Sequence, residues 1–510
     1  MSAESVRVRL EPLSVEVEAP RGASLVSSLS DHGVEFPCGG TGICGGCGVR
    51  VLAGSLPITD ADRDAFTVEQ LEAGWRLACQ AQAETPLVLE CGQWHMDVLT
   101  DNARLVGAGL PAVAGLSAVA GKRGLGIAID LGTTTIVAQM IDMASGNVLA
   151  VETQLNPQTP FGSDVMNRIR AALHGTDLTT VVRAALGQTI AKLAHGRERE
   201  IAEVILVGNT VMHHLFSGRS VEPLAHTPFA SPHLGVQSFQ PRELGWTLPE
   251  SCTVRFAHCL GGFVGSDILA GLVATGMTRG EELVALVDLG TNGEIAIGNR
   301  HGVVCASTAA GPAFEAGSIR MGMRAATGAI SYVSAAADGT MKATVIGGVE
   351  PRGICGSGLV DAVAAGLRGG AILASGRVAN GVKVFPVAGP VVLYQSDIRE
   401  LQLAKGAIAS GFNLLLKHLG ARATDLKSIY LAGAFGNYVQ IESAIRIGLI
   451  EAPRALVHAA GNTALRGAKM LLMSAEEPAL PRIEHVSLAA DPAFQDEFAT
   501  CMTFPDSGGT

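Results

Sequence analysis

Four cysteines in the first hundred residues have the residue type and the spacing of ligands for an iron–sulfur cluster. Cys38, Cys44 and Cys47 lie in the glycine-rich stretch FPCGGTGICGGCGVRV, and Cys79 follows with 31 residues between it and Cys47. The glycines permit positive φ angles and let backbone N–H groups approach sulfur atoms, which helps to set a reduction potential. A C-x5-C-x2-C set with a remote fourth cysteine predicts a 2Fe–2S cluster.

A structural zinc site is the alternative interpretation of the same four thiols. Zinc sites typically use two short C-x2-C pairs, whereas the chain supplies one such pair here. The x5 spacing resembles that of adrenodoxin-like 2Fe–2S domains, which favours the cluster. Cys91 lies in an alternating strand pattern beyond Cys79, and we predict a packed thiol there and not a fifth ligand.

Two aspartates stand at equivalent places in a repeated motif, DLGT. Asp130 lies in GLGIAIDLGTTTIVAQMID and Asp288 in ELVALVDLGTNGEIAIGNR, 158 residues further on. In both, an apolar strand runs into the aspartate, a tight turn follows, and a second strand leaves. Backbone amides and threonine hydroxyls in such turns can surround a phosphate, and the carboxylate can hold Mg²⁺ through water. No P-loop motif is present, so a different nucleotide-binding fold is indicated.

The repeat resembles the two phosphate loops of the acetate and sugar kinase, Hsp70 and actin superfamily. The resemblance implies two lobes around an ATP cleft, with the adenosine at the late glycine turn in KSIYLAGAFGNYV (427–439). Asp130 and Asp288 would organise Mg²⁺ and the attacking water, and Glu315 in TAAGPAFEAGSIRMGM is the first further candidate for positioning that water. The expected phosphate and nucleoside contacts are Gly132, Thr133, Thr134, Thr135, Gly290, Thr291, Asn292, Gly433 and Gly436.

Two more glycine-containing stretches allow two interpretations each. ICGSGLVDAVAAGL (354–367) and the stretch around Glu315 would line the nucleotide, or would only let an alanine-rich helix pack closely. His213 and His214 are adjacent and face different sides of a predicted helix, so a shared metal role for the pair is not expected.

The elements that must position these residues follow from hydrophobic periodicity. Apolar and polar residues alternate in SVRVRL and LSVEVEA, which predicts a β-hairpin. The apolar residues of 23–33 have helical spacing, and two further strands are predicted at CGVRVL and TPLVLEC. This order predicts a β-grasp ferredoxin domain over residues 1–96 and a linker over 97–123. Duplicated RNase H-like lobes follow, one over 124–200 and a larger one over 201–510. The fold class is therefore α/β with an α+β front domain.

Composition restricts the class of partner. The chain has 510 residues, 48% of them hydrophobic, and a net charge of −10, with no basic cluster for nucleic acid. No apolar run is long enough to cross a bilayer, and the first residues lack the pattern of a signal peptide. We expect a cytoplasmic protein.

The combination of a 2Fe–2S domain with this ATPase core resembles the reductive activators of corrinoid-dependent enzymes. The strings that carry the resemblance include CGGTGICGGC, IDLGTTT, GNTVMHHLF, VDLGTNGEI, AAGPAFEAG, ICGSGL, DIRELQLAKGAI and LAGAFGNYV. The family uses ATP to return inactive cobalt(II) corrinoid to cobalt(I). It implies a corrinoid methyltransferase, another corrinoid protein or cobalamin-dependent methionine synthase as client, and an external low-potential electron donor. A homodimer is also compatible with the resemblance.

Three other functions remain alternatives. A small-molecule kinase with an accessory cluster would phosphorylate a hydroxyl or carboxylate. A plain ferredoxin-type electron carrier would leave two phosphate loops without a use. An activator of 2-hydroxyacyl-CoA dehydratases also couples ATP to reduction, but that family places one 4Fe–4S cluster between two subunits, whereas this chain contains a full four-cysteine set.

Overall fold

The computed structural model describes most of the chain. The residues outside the description are 1–4, 12–14, 31–41, 43–46, 92–121, 163, 291, 317, 324, 326–327, 336–340, 434–438, 475–477 and 507–510. The predicted ligands Cys38 and Cys44, nearly all of the predicted linker 97–123, and the nucleotide contacts Thr291 and Gly436 therefore lie outside the described residues.

The front domain is built on a five-stranded sheet with the order β2-β1-β5-β3-β4. Strands β1 and β2 form an antiparallel hairpin, and β1 also pairs with β5 in parallel. Alternate side chains of β1 are buried, as the sequence pattern predicts, and the β-grasp order is confirmed. The strands are β1 (Ser5–Glu11), β2 (Val15–Pro20), β3 (Gly48–Ala53), β4 (Trp75–Leu77) and β5 (Leu87–Cys91), and the helices are α1 (Leu25–Ser30), α2 (Asp60–Ala65) and α3 (Val68–Glu72).

The first lobe contains a six-stranded sheet with the order β10-β11-β9-β6-β7-β8. Its central strand β6 is buried on both faces, which explains its continuous apolar sequence. The strands are β6 (Leu125–Leu131), β7 (Thr135–Asp142), β8 (Val148–Leu155), β9 (Ile201–Val207), β10 (Gln237–Phe239) and β11 (Thr253–Phe256), and the helices are α4 (Val165–Leu173), α5 (Leu178–Ala194) and α6 (Thr210–Ser217).

The expected lobe boundary after residue 200 does not coincide with the division between the sheets. Strand β9 pairs in parallel with β6, and β11 pairs in parallel with β9, so both complete the sheet that carries Asp130. We therefore place the division after Phe256 and before the first strand of the next sheet. The physical reason is that parallel pairing needs a long crossover, here helices α4 and α5, so sheet partners are distant in sequence.

The second lobe contains another six-stranded sheet, with the order β21-β20-β12-β13-β14-β22. Its strands are β12 (Val284–Leu289), β13 (Gly293–Asn299), β14 (Gly302–Thr308), β20 (Ser428–Ala432), β21 (Val457–Gly461) and β22 (Arg482–His485). Two small sheets are inserted, made of β15 (Ala329–Ala335), β16 (Met341–Val345) and β17 (Gly353–Ile354), and of β18 (Val384–Ala388) and β19 (Val391–Tyr394). The helices that follow α6 in the chain are α7 (Ser266–Thr275), α8 (Gly356–Arg368), α9 (Gln395–His418), α10 (Ile441–Arg446), α11 (Thr463–Met473) and α12 (Phe494–Cys501).

The two large sheets have the same topology. In each, three consecutive antiparallel strands, β6-β7-β8 or β12-β13-β14, are followed by a crossover to a parallel strand beside the first. That parallel neighbour is β9 in the first lobe and β20 in the second. The prediction of duplicated RNase H-like lobes is confirmed.

Helices α7 and α11 cross between the two sheets. A Cβ added to Gly467 of α11 would lie 1.9 Å from the backbone oxygen of Ala270 in α7, so the helices touch backbone to backbone. Leu269 of α7 packs with the first-lobe core, whereas Ile268 and Leu272 pack with the second-lobe sheet. Helix α11 also covers one face of the first-lobe sheet, where Leu472 fills the space beside Gly126. Both lobes thus share this helix pair.

A search of the described helices for a membrane span found none of sufficient length and apolar character.

Candidate functional site

The first predicted phosphate loop lies at the end of β6. Asp130 is the next-to-last residue of that strand, and the turn after it is tight, since a Cβ on Gly132 would lie 2.5 Å from the backbone oxygen of Thr135. The hydroxyl of Thr133 accepts a hydrogen bond from the side-chain amide of Asn209 at 2.8 Å. Asn209 also caps α6 by accepting from the Met212 N–H at 3.0 Å, so the amide is held in one orientation.

The second predicted loop lies at the end of β12, in the same position relative to its sheet. Asp288 is the next-to-last residue of β12 and pairs in register with Glu294 of β13. The turn between them is closed by a hydrogen bond from the Gly290 N–H to the Asn292 oxygen at 3.1 Å. Loop and strand therefore present two carboxylates, of which the sequence motif singled out one.

The late glycine turn adjoins the second loop. Gly433 follows β20 directly, has a φ of +86°, and lies so close to the loop that a Cβ would be 2.5 Å from Asp288 Oδ1 and 2.6 Å from the Leu289 oxygen. Positive φ and close approach both require glycine at this place. The structure thus places Gly433 beside Asp288, and its contact with adenosine stays a prediction.

A third aspartate, Asp267, is brought to the same region by stacked glycine backbones. A Cβ on Gly208, after β9, would lie 2.6 Å from the Leu131 oxygen, and one on Gly265 would lie 2.1 Å from the Gly208 oxygen. The Ser266 N–H donates to that Gly208 oxygen at 2.9 Å. These contacts fix the start of α7, where Asp267 occupies the first turn.

Four carboxyl groups influence one another's ionisation in this cleft. Burial raises the pKa of Asp130 to about 6, that of Asp267 to about 7 and that of Asp288 to about 8. Burial is the largest cause. The negative charge of Asp130 also raises the pKa of Asp267, and the charges of Asp267 and Asp130 also raise the pKa of Asp288. Burial, Asp267 and Asp288 together raise the pKa of Glu294 well above its ordinary value. Concentrated like charge of this kind is a cation-binding feature.

The carboxylates of Asp130, Asp267, Asp288 and Glu294 have the chemistry of ligands for a hard cation. In the described part of the chain, no group of three or more His, Cys, Asp or Glu side chains converges tightly enough to coordinate a metal ion. None of the ion pairs found there neutralises Asp130, Asp267, Asp288 or Glu294. Mg²⁺ retains several waters and usually takes one or two protein carboxylates together with phosphate oxygens, so these residues fit a hydrated Mg²⁺–nucleotide complex.

Glu315, the further candidate for positioning water, lies in a short 3-10 turn, Pro312–Glu315, whose helical neighbours are α8 and α9. Only its backbone is described, and its catalytic role stays a prediction. Of the alternative glycine stretches, Gly358 in α8 supports close packing, since a Cβ there would lie 2.2 Å from the Ile330 oxygen.

Two of the four predicted cluster ligands are described, and they lie at one end of the same strand pair. Cys47 immediately precedes β3 and Cys79 follows β4, with β3 and β4 paired antiparallel so that Gly48 lies opposite Leu77. The Ala78 N–H donates to the Cys47 oxygen at 3.0 Å, and both thiols are almost fully buried. Gly42 has a φ of +85°, and a Cβ added to it would lie 3.0 Å from the Gln80 side chain. Two buried cysteines at one strand end, with a glycine backbone close to Gln80, fit a cluster site.

Cys91, His213 and His214 are buried residues with packing or hydrogen-bonding roles. Cys91 is fully buried in β5 opposite Val49, and burial raises its pKa far above the ordinary value, as expected for a packed thiol. His213 and His214 are also fully buried in α6. His214 pairs with the Thr210 oxygen at 2.8 Å and with the Ser231 hydroxyl at 2.7 Å.

Family models match the chain in three consecutive stretches. The 2Fe-2S iron-sulfur cluster binding domain matches residues 8–84, the RACo middle region matches 125–280, and the C-terminal domain of RACo, the ASKHA domain, matches 282–510. The division between the second and third models falls between the two large sheets.

Two relatives match the chain over about 70% of their own length. The chain is 36% identical over 421 residues to the corrinoid activation enzyme RamQ of Eubacterium limosum, covering 75% of this chain and 70% of that protein. It is 28% identical over 384 residues to the Co(II) methylated amine-specific corrinoid protein reductase of Methanosarcina barkeri, covering 68% and 70% respectively. Among solved structures, a reductive activator for corrinoid, iron-sulfur protein aligns with a TM-score of 0.67 and 27% identity, over 98% of this chain and 99% of that one.

Proposed function

The chain belongs to the RACo family of reductive activators of corrinoid proteins, and on this premise we propose that it uses ATP to return a cobalt(II) corrinoid protein to cobalt(I). Electrons reach the corrinoid through a 2Fe–2S cluster in the front domain. The observation that carries the proposal is the presence, in one chain, of a cluster-type cysteine pair and a cleft that brings the Asp130 loop and the Asp288–Gly433 pair together.

The ATP site is proposed from the shape and charge of that cleft. The loops after Asp130 and Asp288 are tight turns, and we propose that backbone amides of these turns contact phosphate oxygens. Gly433 keeps the backbone near Asp288 free of a side chain, where a nucleoside needs room. Thr134 and Thr135 complete the first loop, and Thr291, Asn292 and Gly436 are proposed as further contacts.

Asp130, Asp288 and Asp267 are proposed to carry the chemistry of ATP hydrolysis. Hydrated Mg²⁺ would be held by these carboxylates, and it would supply charge stabilisation for the departing phosphate. Asp267 lies at the start of the helix shared by both lobes, and we propose it beside Glu315 as a candidate for orienting the attacking water. Each role needs the ionised carboxylate.

The cluster is proposed to be held by Cys38, Cys44, Cys47 and Cys79. When bound it supplies a one-electron carrier, which is the unit of reduction that cobalt(II) requires. The chain's own contribution is to bury two of the sulfur atoms and to fix the β3–β4 end with the hydrogen bond from Ala78 to Cys47.

The need for ATP follows from redox arithmetic. For a one-electron transfer, about 59 mV changes the equilibrium constant tenfold, so a gap of a few hundred millivolts leaves almost no cobalt(I). A nucleotide can shift that equilibrium only through different affinities for two states of the complex. We propose that the two-lobed core binds the cobalt(II) client and that ATP hydrolysis resets the complex after reduction.

The client is proposed to be a corrinoid methyltransferase, a corrinoid protein or cobalamin-dependent methionine synthase, with an external low-potential reductant as electron donor. Anaerobic optical spectroscopy of a candidate corrinoid protein tests the proposal by following loss of the cobalt(II) band. We expect conversion only when reductant, cluster-loaded protein and Mg·ATP are all present. Equal rates and yields without ATP would reduce the chain to an electron carrier, and phosphorylation of a small molecule without cobalt chemistry would favour a kinase.

A further inference from the structure

The segment between β8 and the end of α4 holds the outer side of the first phosphate loop. Three consecutive carbonyl oxygens of the loop accept hydrogen bonds from it. The side-chain amide of Asn156 donates to Gly132 at 2.9 Å, Arg168 donates to Thr133 at 2.5 Å, and the Asn156 N–H donates to Thr134 at 2.8 Å. The loop's carbonyl side is therefore fully engaged by neighbouring protein groups.

This pattern determines where the loop's amides face. Across a planar trans peptide, the C=O of one residue and the N–H of the next point in opposite directions. Holding the carbonyls of Gly132 and Thr133 against the segment turns the N–H groups that follow them to the other side of the loop. A row of amides facing one way is an anion-binding arrangement.

Arg168 is itself built into the interior. It is 0% exposed, and its further contacts include the Gly162 oxygen at 2.9 Å, Gln158 Oε1 at 3.3 Å and the sulfur of Met212 at 3.5 Å. Gln158 is held in turn by a bond to the Leu178 oxygen at 2.9 Å. Removing a guanidinium from water is costly, and the hydrogen bonds to the Thr133 and Gly162 oxygens offset part of that cost only while this geometry is kept.

We propose that Arg168 and Asn156 are positioning residues for phosphate recognition, which orient the amides of the first loop and place a buried positive charge behind it. Neither residue needs to touch the nucleotide. Arg168 acts through the Thr133 carbonyl, and its rigid fork spans Thr133, Gly162 and Gln158 at once, which a lysine ammonium does not match. The inference rests on the proposed function, because ATP is the anion to be recognised.

The test compares affinities of the full-length protein for adenosine, ADP and ATP, measured by calorimetry with Mg²⁺ present. Arg168→Met should weaken ATP and ADP binding about tenfold, or about 1.4 kcal/mol, and leave adenosine binding within twofold. Arg168→Lys keeps the positive charge and loses the forked guanidinium, so its loss of ATP and ADP affinity should be smaller than that of Arg168→Met. The ratio of ATP to adenosine affinity within one variant cancels any general loss of folded protein.

Arg183→Met is the matched control. Arg183 is a partly buried arginine on α5 that also donates to a backbone oxygen, that of Phe216, at 2.8 Å, but it does not contact the loop. Its variant should keep the unaltered ATP to adenosine ratio.

Separate outcomes overturn separate claims. If the unaltered chain binds ATP but the ratio of ATP to adenosine affinity is unchanged in both Arg168 variants, the inference is wrong and the proposed function stands. The same holds if Arg183→Met changes this ratio as much as Arg168→Met does. If Arg168→Met does not fold, Arg168→Lys decides by the same ratio. Absence of ATP binding by the unaltered, folded chain would overturn the proposed function, and the inference with it.

Discussion

Asn462 donates a hydrogen bond from its side-chain amide to Asp130 Oδ2 at 2.8 Å, although 332 residues separate them in sequence. Asn462 follows β21 of the second lobe, whereas Asp130 is the next-to-last residue of β6 in the first, so the bond joins the two lobes. The oxygen of the same amide accepts from the Leu465 N–H at 2.8 Å and caps α11. Because the helix cap fixes the position of this oxygen, the side-chain NH₂ group of Asn462 is the group that faces Asp130.

Replacing Asn462 should therefore change the ionisation of Asp130. The hydrogen bond lowers the pKa of Asp130, against a larger rise caused by burial. Asn462→Ser keeps an oxygen for the helix cap and removes this donor, so the pKa of Asp130 should rise by about one unit. We expect the acidic limb of the ATPase pH profile to move to higher pH by a similar amount. A superimposable profile would show that this carboxylate does not limit activity.

The stabilising effect of Mg²⁺ should depend on pH. The folded-state pKa values of Asp130, Asp267 and Asp288, about 6, 7 and 8, lie above the ordinary value, so the cleft is most favourable when protonated and loses stability as pH rises through this range. Mg²⁺ compensates the charge only after the carboxylates ionise. The Mg²⁺-induced increase in Tm should therefore grow between pH 6 and pH 8.5. Thermal unfolding in Asp267→Asn should show a smaller growth, and a pH-independent increase in the unaltered chain would contradict the coupling.

Asp288 should be required for hydrolysis and not for the cluster. Asp288→Ala removes one charge from the centre of the cleft, and losses of charge stabilisation at a phosphoryl-transfer site commonly cost about 100-fold or more in rate. The variant should retain its iron content and its reduced EPR spectrum, since Asp288 lies in the second lobe. Hydrolysis at the unaltered rate would remove Asp288 from the mechanism.

Gly433→Ala should abolish nucleotide turnover by displacing Asp288. The new methyl group would lie 2.5 Å from Asp288 Oδ1, at a backbone φ of +86°. Gly420→Ala is the matched control, because Gly420 also has a positive φ, +65°, but no atom within 4 Å of an added Cβ. Both variants should lose about 1 kcal/mol of stability from backbone strain. Steady-state ATPase rates should fall only in Gly433→Ala, and equal rates in the two variants would show that the close contact is unimportant.

Cys79→Ser should lose the cluster, whereas Cys91→Ser should keep it. Both cysteines are buried in the front domain, but Cys79 belongs to the predicted ligand set, whereas Cys91 is a strand residue opposite Val49 whose thiol pKa is raised far above its ordinary value by burial. Iron and sulfide analysis with low-temperature EPR of the anaerobically reduced proteins distinguishes them. Full iron content and an unchanged spectrum in Cys79→Ser would exclude this residue as a ligand.

Local patterns were sufficient to predict the strands that carry the site. The alternating residues of β1 and the two DLGT motifs specify strand, turn and strand within about 20 residues, and the structure has them as predicted. Gly433 was also predicted from its place after a late apolar strand.

The place of Asp267 could not be predicted because its proximity to the two loops is tertiary. Asp267 begins a helix in an unremarkable Gly-Ser-Asp sequence, and it reaches the cleft through the contacts among Leu131, Gly208 and Gly265. Glu294 follows the second turn directly, and its opposition to Asp288 could have been inferred from antiparallel pairing. The lobe boundary was misplaced for a similar reason, because β9 and β11 join the first sheet across long connections.

The packing of α11 on the first lobe has a consequence for the order of events during synthesis. The face of the first-lobe sheet that includes Ala128 is covered by Ala464, Leu471 and other residues of a helix made more than 300 residues later. Until the ribosome has released that helix, the nascent first lobe carries an open apolar face. Such an intermediate is prone to aggregation and is a natural client for a chaperone. A chain truncated before residue 463 should for the same reason accumulate in the insoluble fraction, even though both DLGT loops are present.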